Sequence, residues 1–337
     1  MKRSTVIDML SPFALSNDQA NRWRTKPETF TAENLREFQD SGIHAFHVAI
    51  GIGGFDVYGN NLRFMTGWNS FLAYHERSLK RISSAADFDV AKAEGKIGVI
   101  LGLQDSAHFR IIPDVDDFYS YGQRVSQLTY NVRNLIGNGS TERRDDGLSD
   151  FGVAVVERMN QVGMAVDVSH SGDRTTLDAL DVSKKPVLFT HINCRALSGH
   201  VRAKTDEAIK KCAEHGGVIG LTGVRNFVKA EEPTTVEDYL NHFDHVRRLT
   251  GPEFLGIGSD IDLHGYDAMP EAEQKALRAN YTAEYKFRDK LDIEGINHPK
   301  RMFDVAEGLI RRGYSDPEIE GILGGNFKRV LKTIWGM

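Results

Sequence analysis

Several short apolar segments of this sequence end in a polar residue that is suited to chemistry. The segments VGMAVDVSH and KPVLFTH end at His170 and His191, and FLGIGSD ends at Asp260. GVILGLQ and VSQLTY end in the same way, at Gln104 and Tyr130. Neutral imidazole is a common zinc ligand, and a carboxylate can act as a general base. These residue types therefore favour metal-assisted or acid–base chemistry.

The apolar segments are typical of strands buried on both faces, because Val, Ile, Leu and Gly dominate them with almost no polar alternation. We predict eight strands, over 5–8, 43–49, 97–103, 125–129, 164–168, 187–190, 217–221 and 255–259. Segments with helical periodicity or capping residues lie between them, over 33–40, 84–93, 150–162, 205–215 and 235–250. Eight such units predict an α/β fold, a (β/α)8 barrel of the TIM type, with its site at the carboxyl ends of the strands.

An open, doubly wound sheet is the alternative fold. It would often carry a glycine-rich phosphate-binding turn after its first strand, whereas Asp8 is followed here by MLSPFALS. Segment 266–337 is predicted to be helical and to close and pack the barrel. Segment 55–79 fits a cover over the barrel mouth, a subunit contact or a local aromatic core. Since no linker rich in Pro, Gly or Ser divides the chain, we expect one domain over residues 1–337.

Composition narrows the class of partner. The 337 residues carry a formal net charge of -5 with charges of both signs interspersed, which argues against a nucleic-acid partner. Two cysteines, Cys194 and Cys212, are too few for a disulfide framework and suit a reducing cytoplasm. The N-terminal apolar run is too short for a signal peptide, and no stretch approaches the roughly 20 apolar residues of a membrane span. We expect a soluble protein without a membrane partner.

The two histidines are the strongest site candidates. They end neighbouring strands of the predicted barrel, so their side chains are expected to meet within metal-binding distance. A lone histidine in such a position is more often a core or rim residue with one hydrogen bond, whereas two histidines at matching strand ends favour a metal site as much as a structural role. Asp260 could bind a metal, act as a general base or cap the following segment, and Asp262 lies further into the loop. Arg202 could form a forked contact with a substrate carboxylate.

The segments LTYNVRNLIGNG, GLSDFG, NQVGMAVDVSH, KPVLFTH, VRAKTDE and GIGSDID occur in a specific order and spacing. Together they resemble the membrane (renal) dipeptidase family of zinc peptidases, from about Val6 to the C-terminal NFKRVLKTIW. The resemblance implies a distorted, amidohydrolase-like barrel, a binuclear zinc centre, hydrolysis of dipeptides and a homodimer.

The resemblance also assigns roles to residues. His170 and His191 match the two histidines that hold the second zinc, and Asp260 matches an aspartate near the reacting centre. Arg202 corresponds to the arginine that receives the substrate carboxylate. Tyr130 stands where a substrate-contacting histidine is expected, and it retains a hydroxyl donor.

The first metal site departs from the family pattern. Asp8 matches the aspartate that opens the motif, but Leu10 and Pro12 stand where a histidine and an aspartate should bind zinc. Gln104 replaces the glutamate that bridges both metals, and a neutral amide is a weaker donor. We therefore expect at most one zinc ion, held by the two histidines with Gln104 or Asp260 completing the shell. Asp105 and His108 are further substitutes by their place in the sequence.

Three functions follow from these residues. The first is a mononuclear, dipeptidase-like hydrolase that cleaves an amide bond in a dipeptide or a small modified amino acid. In it Asp260 transfers the proton, Tyr130 donates to the oxyanion, and Arg202 binds the substrate carboxylate. The second is a lyase or tautomerase that uses Asp260 and Tyr130 on a small carboxylate. The third is a non-catalytic binding protein that keeps Arg202 and the pocket.

Overall fold

The computed structural model describes residues 4–14, 17–51, 53–279, 281 and 283–336. The strands of this part of the chain are β1 (Ile7–Asp8), β2 (Ala45–Val48), β3 (Leu79–Arg81), β4 (Ile97–Leu103), β5 (Gln123–Gln127), β6 (Ala165–Asp167), β7 (Leu188–Ile192), β8 (Val218–Leu221) and β9 (Leu255–Ile257). They pair in parallel in the order β1-β2-β4-β5-β6-β7-β8-β9, and β3 adds to β4 beside this path.

Helices connect the strands and cover the barrel. They are α1 (Asn17–Thr25), α2 (Ala32–Asp40), α3 (Val57–Tyr74), α4 (Ala86–Ala93), α5 (Pro113–Ser120), α6 (Asp150–Val162), α7 (Asp173–Val182), α8 (Arg195–Ser198), α9 (Asp206–Glu214), α10 (Arg225–Val228), α11 (Val236–Thr250), α12 (Glu271–Ala279), α13 (Arg301–Arg311), α14 (Asp316–Glu320) and α15 (Asn326–Trp335). Capping sets some of these bounds. In α6 the Ser149 side chain accepts from the Gly152 amide, and Gly163 ends the helix at a φ of 83°.

The predicted (β/α)8 barrel is confirmed, since each of the eight predicted strands is present and β4 spans the predicted residues. The ninth strand, β3, escaped prediction because it is three residues long and mostly polar. The predicted packing role of the C-terminal segment also holds. Helix α15 joins the inward side chains of the strands in one apolar cluster, which includes Phe327, Leu331 and Trp335 together with Ile7, Ala45, Ile100 and Val125.

Segment 55–79, with its helix α3, forms a local aromatic core with the start of the chain. Trp68 and Phe71 of this helix are buried against Phe13, with ring centroids 6.2 and 6.4 Å from it. Phe13 in turn stacks on Phe38 of α2 at 3.9 Å. The local-core interpretation of these aromatic residues therefore describes their packing.

Hydrogen bonds complete the barrel between β1 and β9. The Met9 amide donates to the Ile257 carbonyl at 2.9 Å. The Asp8 carboxylate accepts from the amide and the hydroxyl of Ser259, at 2.8 and 2.6 Å. Arg301 of α13 lies against this junction, 3.3 Å from Asp8 Oδ2, and donates to the Ile261 carbonyl at 3.1 Å. Burial raises the pKa of Asp8, although Arg301 and Ser259 oppose that shift.

Replacement of Arg301 should weaken the closure of the barrel. Arg301→Met leaves the buried Asp8 carboxyl without its cationic partner and removes the hydrogen bond to the Ile261 carbonyl, so we expect a loss of about 3–5 kcal/mol in the free energy of unfolding. Urea denaturation measures it. Lys300→Met, at the exposed neighbouring position, should change stability by less than about 0.5 kcal/mol. A similarly small effect of Arg301→Met would contradict a structural role for this contact.

Candidate active site

The structure brings His170 and His191 together at the carboxyl ends of β6 and β7. Their Nε2 atoms lie 2.8 Å apart, and both side chains are buried. Burial lowers the pKa of each imidazole well below its usual value, and the nearby Arg202 adds to the shift. Both rings are therefore neutral near pH 7, which is the form that binds metals.

A chain of hydrogen bonds fixes the proton of His191 on Nδ1. The Thr190 hydroxyl donates to Asp167 Oδ2 at 2.6 Å, and the same hydroxyl oxygen lies 2.8 Å from His191 Nδ1. Since the hydroxyl proton is given to the carboxylate, Nδ1 must be the donor in the second bond. Ser169 holds the other carboxylate oxygen at 2.6 Å. The Nε2 atom of His191 consequently carries a lone pair.

His170 is oriented in the same manner by a different partner. Its Nδ1 lies 2.7 Å from the side-chain oxygen of Asn131, which can only accept a hydrogen bond. The Nδ1 atom therefore donates, and the lone pair again falls on Nε2. Two lone pairs that face each other at 2.8 Å repel unless the rings share a proton or bind one cation that lies off the line between the two nitrogens. A hydrogen bond on the outer nitrogen is also how metal-binding histidines are usually held.

The histidine pair offers two neutral nitrogen donors for a divalent cation. Within the described ranges, however, no group of three or more His, Cys, Asp or Glu side chains could hold a metal ion. Leu10 and Pro12 line the neighbouring cavity and offer no side-chain donor atom. A metal at the pair would therefore need a ligand of another type, and the number of metal ions stays a prediction.

A cavity of about 420 Å³ lies above the histidine pair at the mouth of the barrel. Tyr130, Gln104 and Asp260 line it. The Tyr130 ring stacks on the His170 ring with centroids 4.3 Å apart, and its hydroxyl lies 2.6 Å from that of Tyr281. Tyr130 therefore separates His170 from the cavity while presenting its own polar end beside a second tyrosine.

Asp260 has the properties of an acid–base group. It follows β9 in a left-handed conformation, with a φ of 58°, and it lines the cavity. Burial raises the pKa of Asp260 to about 7, although Arg202 lowers it. A carboxyl group with a pKa near neutrality can both accept and return a proton at physiological pH.

Asp262 was ranked below Asp260 on sequence grounds, but it also lines the cavity. Its Oδ1 accepts from the amide groups of His264 and Gly265, at 3.1 and 2.7 Å. Its Oδ2 is buried and has no hydrogen-bond partner among the described residues. Burial raises the pKa of Asp262 to about 7.

Arg202 lies beneath the cavity and is 2% exposed. Its guanidinium donates to the Ser169 carbonyl and, at 3.4 Å, to the His191 carbonyl. These contacts tie together the segments that carry the two histidines. The Nε atom is buried without a partner within the described part of the chain. Because this atom is buried and Arg202 is not among the residues that line the cavity, its role in carboxylate binding stays a prediction.

The remaining candidates from the third predicted strand lie apart from the histidines. The Gln104 side chain donates to the Ala49 carbonyl at 3.1 Å, and no hydrogen bond among the described residues joins it to either histidine. Asp105 accepts from Asn134 at 2.8 Å. Both ring nitrogens of His108 face protein partners, with Nε2 3.2 Å from the Gln123 side chain. Asp105 and His108 are therefore engaged elsewhere, whereas Gln104 as a ligand stays a prediction.

A family model describing membrane dipeptidase (peptidase family M19) matches residues 1–280, and the chain belongs to this family. It is 28% identical over 77% of its length to an uncharacterized dipeptidase of Schizosaccharomyces pombe and covers 58% of that protein. It is 27% identical over 78% of its length to dipeptidase 3 of Rattus norvegicus and covers 49% of it. The chain thus spans about half the length of these curated relatives.

The solved structures agree on the fold. An amidohydrolase from Pseudomonas aeruginosa superposes with a TM-score of 0.83 at 29% identity, covering 100% of this chain and 98% of that one. A family M19 metallopeptidase, dipeptidase AC, superposes with a TM-score of 0.80 at 19% identity, covering 99% of each chain. The family is one of metallopeptidases and implies a divalent metal.

The raised pKa of Asp262 predicts a pH-dependent stability effect. Its folded pKa of about 7 exceeds the unfolded value of 3.8, so the native protein binds more protons between these pH values. Stability therefore falls as the pH rises from about 4 to about 7 and then levels off. Asp262→Asn removes this ionisation and should be more stable than the parent at pH 8 by on the order of 1 kcal/mol, with the difference shrinking at pH 5. Urea denaturation at both pH values measures it.

Asp289→Asn, at an exposed acid of the same region, is the matched control and should show the same stability difference at both pH values. If Asp262→Asn changed stability by the same amount at pH 5 and pH 8, the pKa of Asp262 would not be raised in the folded protein, and the prediction would be wrong.

Proposed function

We propose that this protein is a dipeptidase-like hydrolase that uses one divalent metal to cleave an amide bond in a small substrate carrying a carboxylate. The facing Nε2 atoms of His170 and His191, 2.8 Å apart with both lone pairs directed inward, support this proposal most strongly. Membership of the membrane dipeptidase family supports the reaction class.

His170 and His191 would hold the metal, with Gln104 or Asp260 as a further donor. A bound divalent cation supplies Lewis acidity and lowers the pKa of water, which are the needs of amide hydrolysis at neutral pH. Zinc is our choice of metal, because imidazole is among its preferred ligands.

The side chains around the cavity would perform the remaining steps. Asp260 accepts a proton from the attacking water and returns it to the leaving nitrogen, which its pKa of about 7 allows. The Tyr130 hydroxyl donates a hydrogen bond to the developing oxyanion. It remains protonated because burial raises the pKa of Tyr130. Arg202 contacts the substrate carboxylate through its Nε, which has no hydrogen-bond partner among the described residues.

The cellular setting is also a proposal. Both cysteines are buried and unpaired, which suits a reducing cytoplasm. Among the described residues, no helix is both long enough and apolar enough to cross a membrane. We further propose a homodimer, as the family resemblance implies, with size-exclusion chromatography coupled to light scattering as its test.

An acid–base reaction on a small carboxylate is the second candidate. It is favoured by one observation, that Asp260 and Tyr130 line the cavity whereas the buried histidines do not. Such a lyase or tautomerase could be metal-free or metal-dependent. The metal-free form would keep its activity after complete removal of metal by a chelator, whereas the proposed hydrolase would lose it.

Removal of one histidine should abolish both metal binding and turnover. His191→Ala deletes one of the two oriented donors, so we expect zinc content to fall at least tenfold and amide hydrolysis to be lost. Inductively coupled plasma mass spectrometry and a dipeptide hydrolysis assay measure the two effects. His215→Ala, at an exposed histidine, should leave both unchanged. Full activity in a metal-free His191→Ala protein would refute the scheme.

Asp260 should set the acidic limb of the pH profile. Because the ionised carboxylate is the active base, kcat/KM should rise with pH to a plateau. The half-maximal value should fall at or below about pH 7, since a cation near Asp260 would lower its pKa from about 7. Asp260→Asn should reduce kcat by about 10²–10⁴-fold and remove this limb. The same acidic limb in an active Asp260→Asn enzyme would assign the titration to another group.

A further inference from the structure

The cavity has one wall that the proposed chemistry does not use. Leu10 and Pro12, which follow β1, line this wall. Phe64 and Trp68 of α3 continue it, and both side chains are almost fully buried. We call the surface formed by Leu10, Pro12, Phe64 and Trp68 the apolar wall.

Polar side chains line the same cavity. They are Gln104, Tyr130, Asp260 and Asp262, and they include the groups assigned above to proton transfer and oxyanion binding. Asp260 lies next to the apolar wall, because its amide donates to the Leu10 carbonyl at 2.7 Å. The cavity volume of about 420 Å³ lies within the roughly 300–1,000 Å³ typical of sites for small organic ligands. A ligand that fills this cavity must therefore present a polar reacting end and an apolar body.

Two further apolar residues, Ile50 and Ala20, line the cavity together with the apolar wall. Ile50, which follows β2, lines the cavity and is 40% exposed. Ala20 of α1 also lines the cavity. Arg24 lies one turn further along α1, with its guanidinium 4.8 Å from the Phe64 ring centroid. Burial lowers the pKa of Arg24 to about 10, so its charge is partly removed from water beside this ring.

We propose that the apolar wall is a subsite for a bulky apolar group of the substrate, an aryl or branched alkyl side chain next to the amide that is cleaved. Water against these side chains gains few hydrogen bonds, so its replacement by an apolar group is favourable. The claim that the substrate carries an apolar group rests on the proposed hydrolase function. The claim that the apolar wall binds apolar groups does not depend on that function.

The test compares two neutral ketones that a hydrolase cannot cleave, 4-phenylbutan-2-one and butan-2-one, by isothermal titration calorimetry with the full chain. Burial of the phenyl group should make the first ketone bind at least about tenfold more tightly. Ile50→Asn makes the rim polar and Ala20→Trp fills the cavity, so each should reduce this ratio to below about threefold. Ile310→Asn, at a residue of α13 that is 60% exposed, is the matched control and should retain the parental ratio.

Equal binding of the two ketones, no binding of either, or a ratio unaffected by both cavity variants would overturn the proposal. Circular dichroism of each variant identifies a loss of folding. The two variants lie in different segments of the chain, after β2 and in α1, so each one is a check on the other. Hydrolysis of phenylalanyl and glycyl dipeptides by the zinc-loaded protein is measured separately. If the protein prefers the phenyl ketone but cleaves neither dipeptide, the apolar subsite is supported and the hydrolase function is contradicted.

Discussion

The hydrogen-bond chain from Asp167 through Thr190 to His191 is the constraint on which the site depends. It places a lone pair on His191 Nε2, and Asn131 does the same for His170 through Nδ1. These partners are buried, so neither ring can exchange its outer hydrogen bond for one to water. The protein thereby holds two neutral donors face to face, an arrangement that is stable only with a proton or a cation between them.

The barrel explains why these groups meet. Parallel strands deliver residues to one end of the sheet, and the β1–β9 junction brings Asp260 to the same mouth. At that junction the family's first metal ligands are replaced by Leu10 and Pro12. In the proposed account a single-metal centre lies beside the apolar wall, and the same two residues would explain both the missing metal ligands and the apolar subsite.

The sequence predicted the barrel because its strands are buried on both faces and carry a strong apolar pattern. β3 lacked that pattern, and its existence depends on pairing with β4. The meeting of His170 and His191 followed from strand order alone. The positions of Arg202 and Asp262 could not be predicted from strand order, because loop conformation decides whether a side chain faces the cavity or a backbone carbonyl. Asn131 was also missed, since a single polar residue after a strand does not reveal which ring it will orient.

The most direct test of the single-metal account is anomalous scattering at the zinc absorption edge from a crystal of the untreated protein. The account predicts one peak, located between the Nε2 atoms of His170 and His191. Two peaks would mean that ligands for a second metal exist elsewhere at the barrel mouth. No peak, with the two rings still in direct contact, would mean that a shared proton holds them together and that the reaction uses no metal.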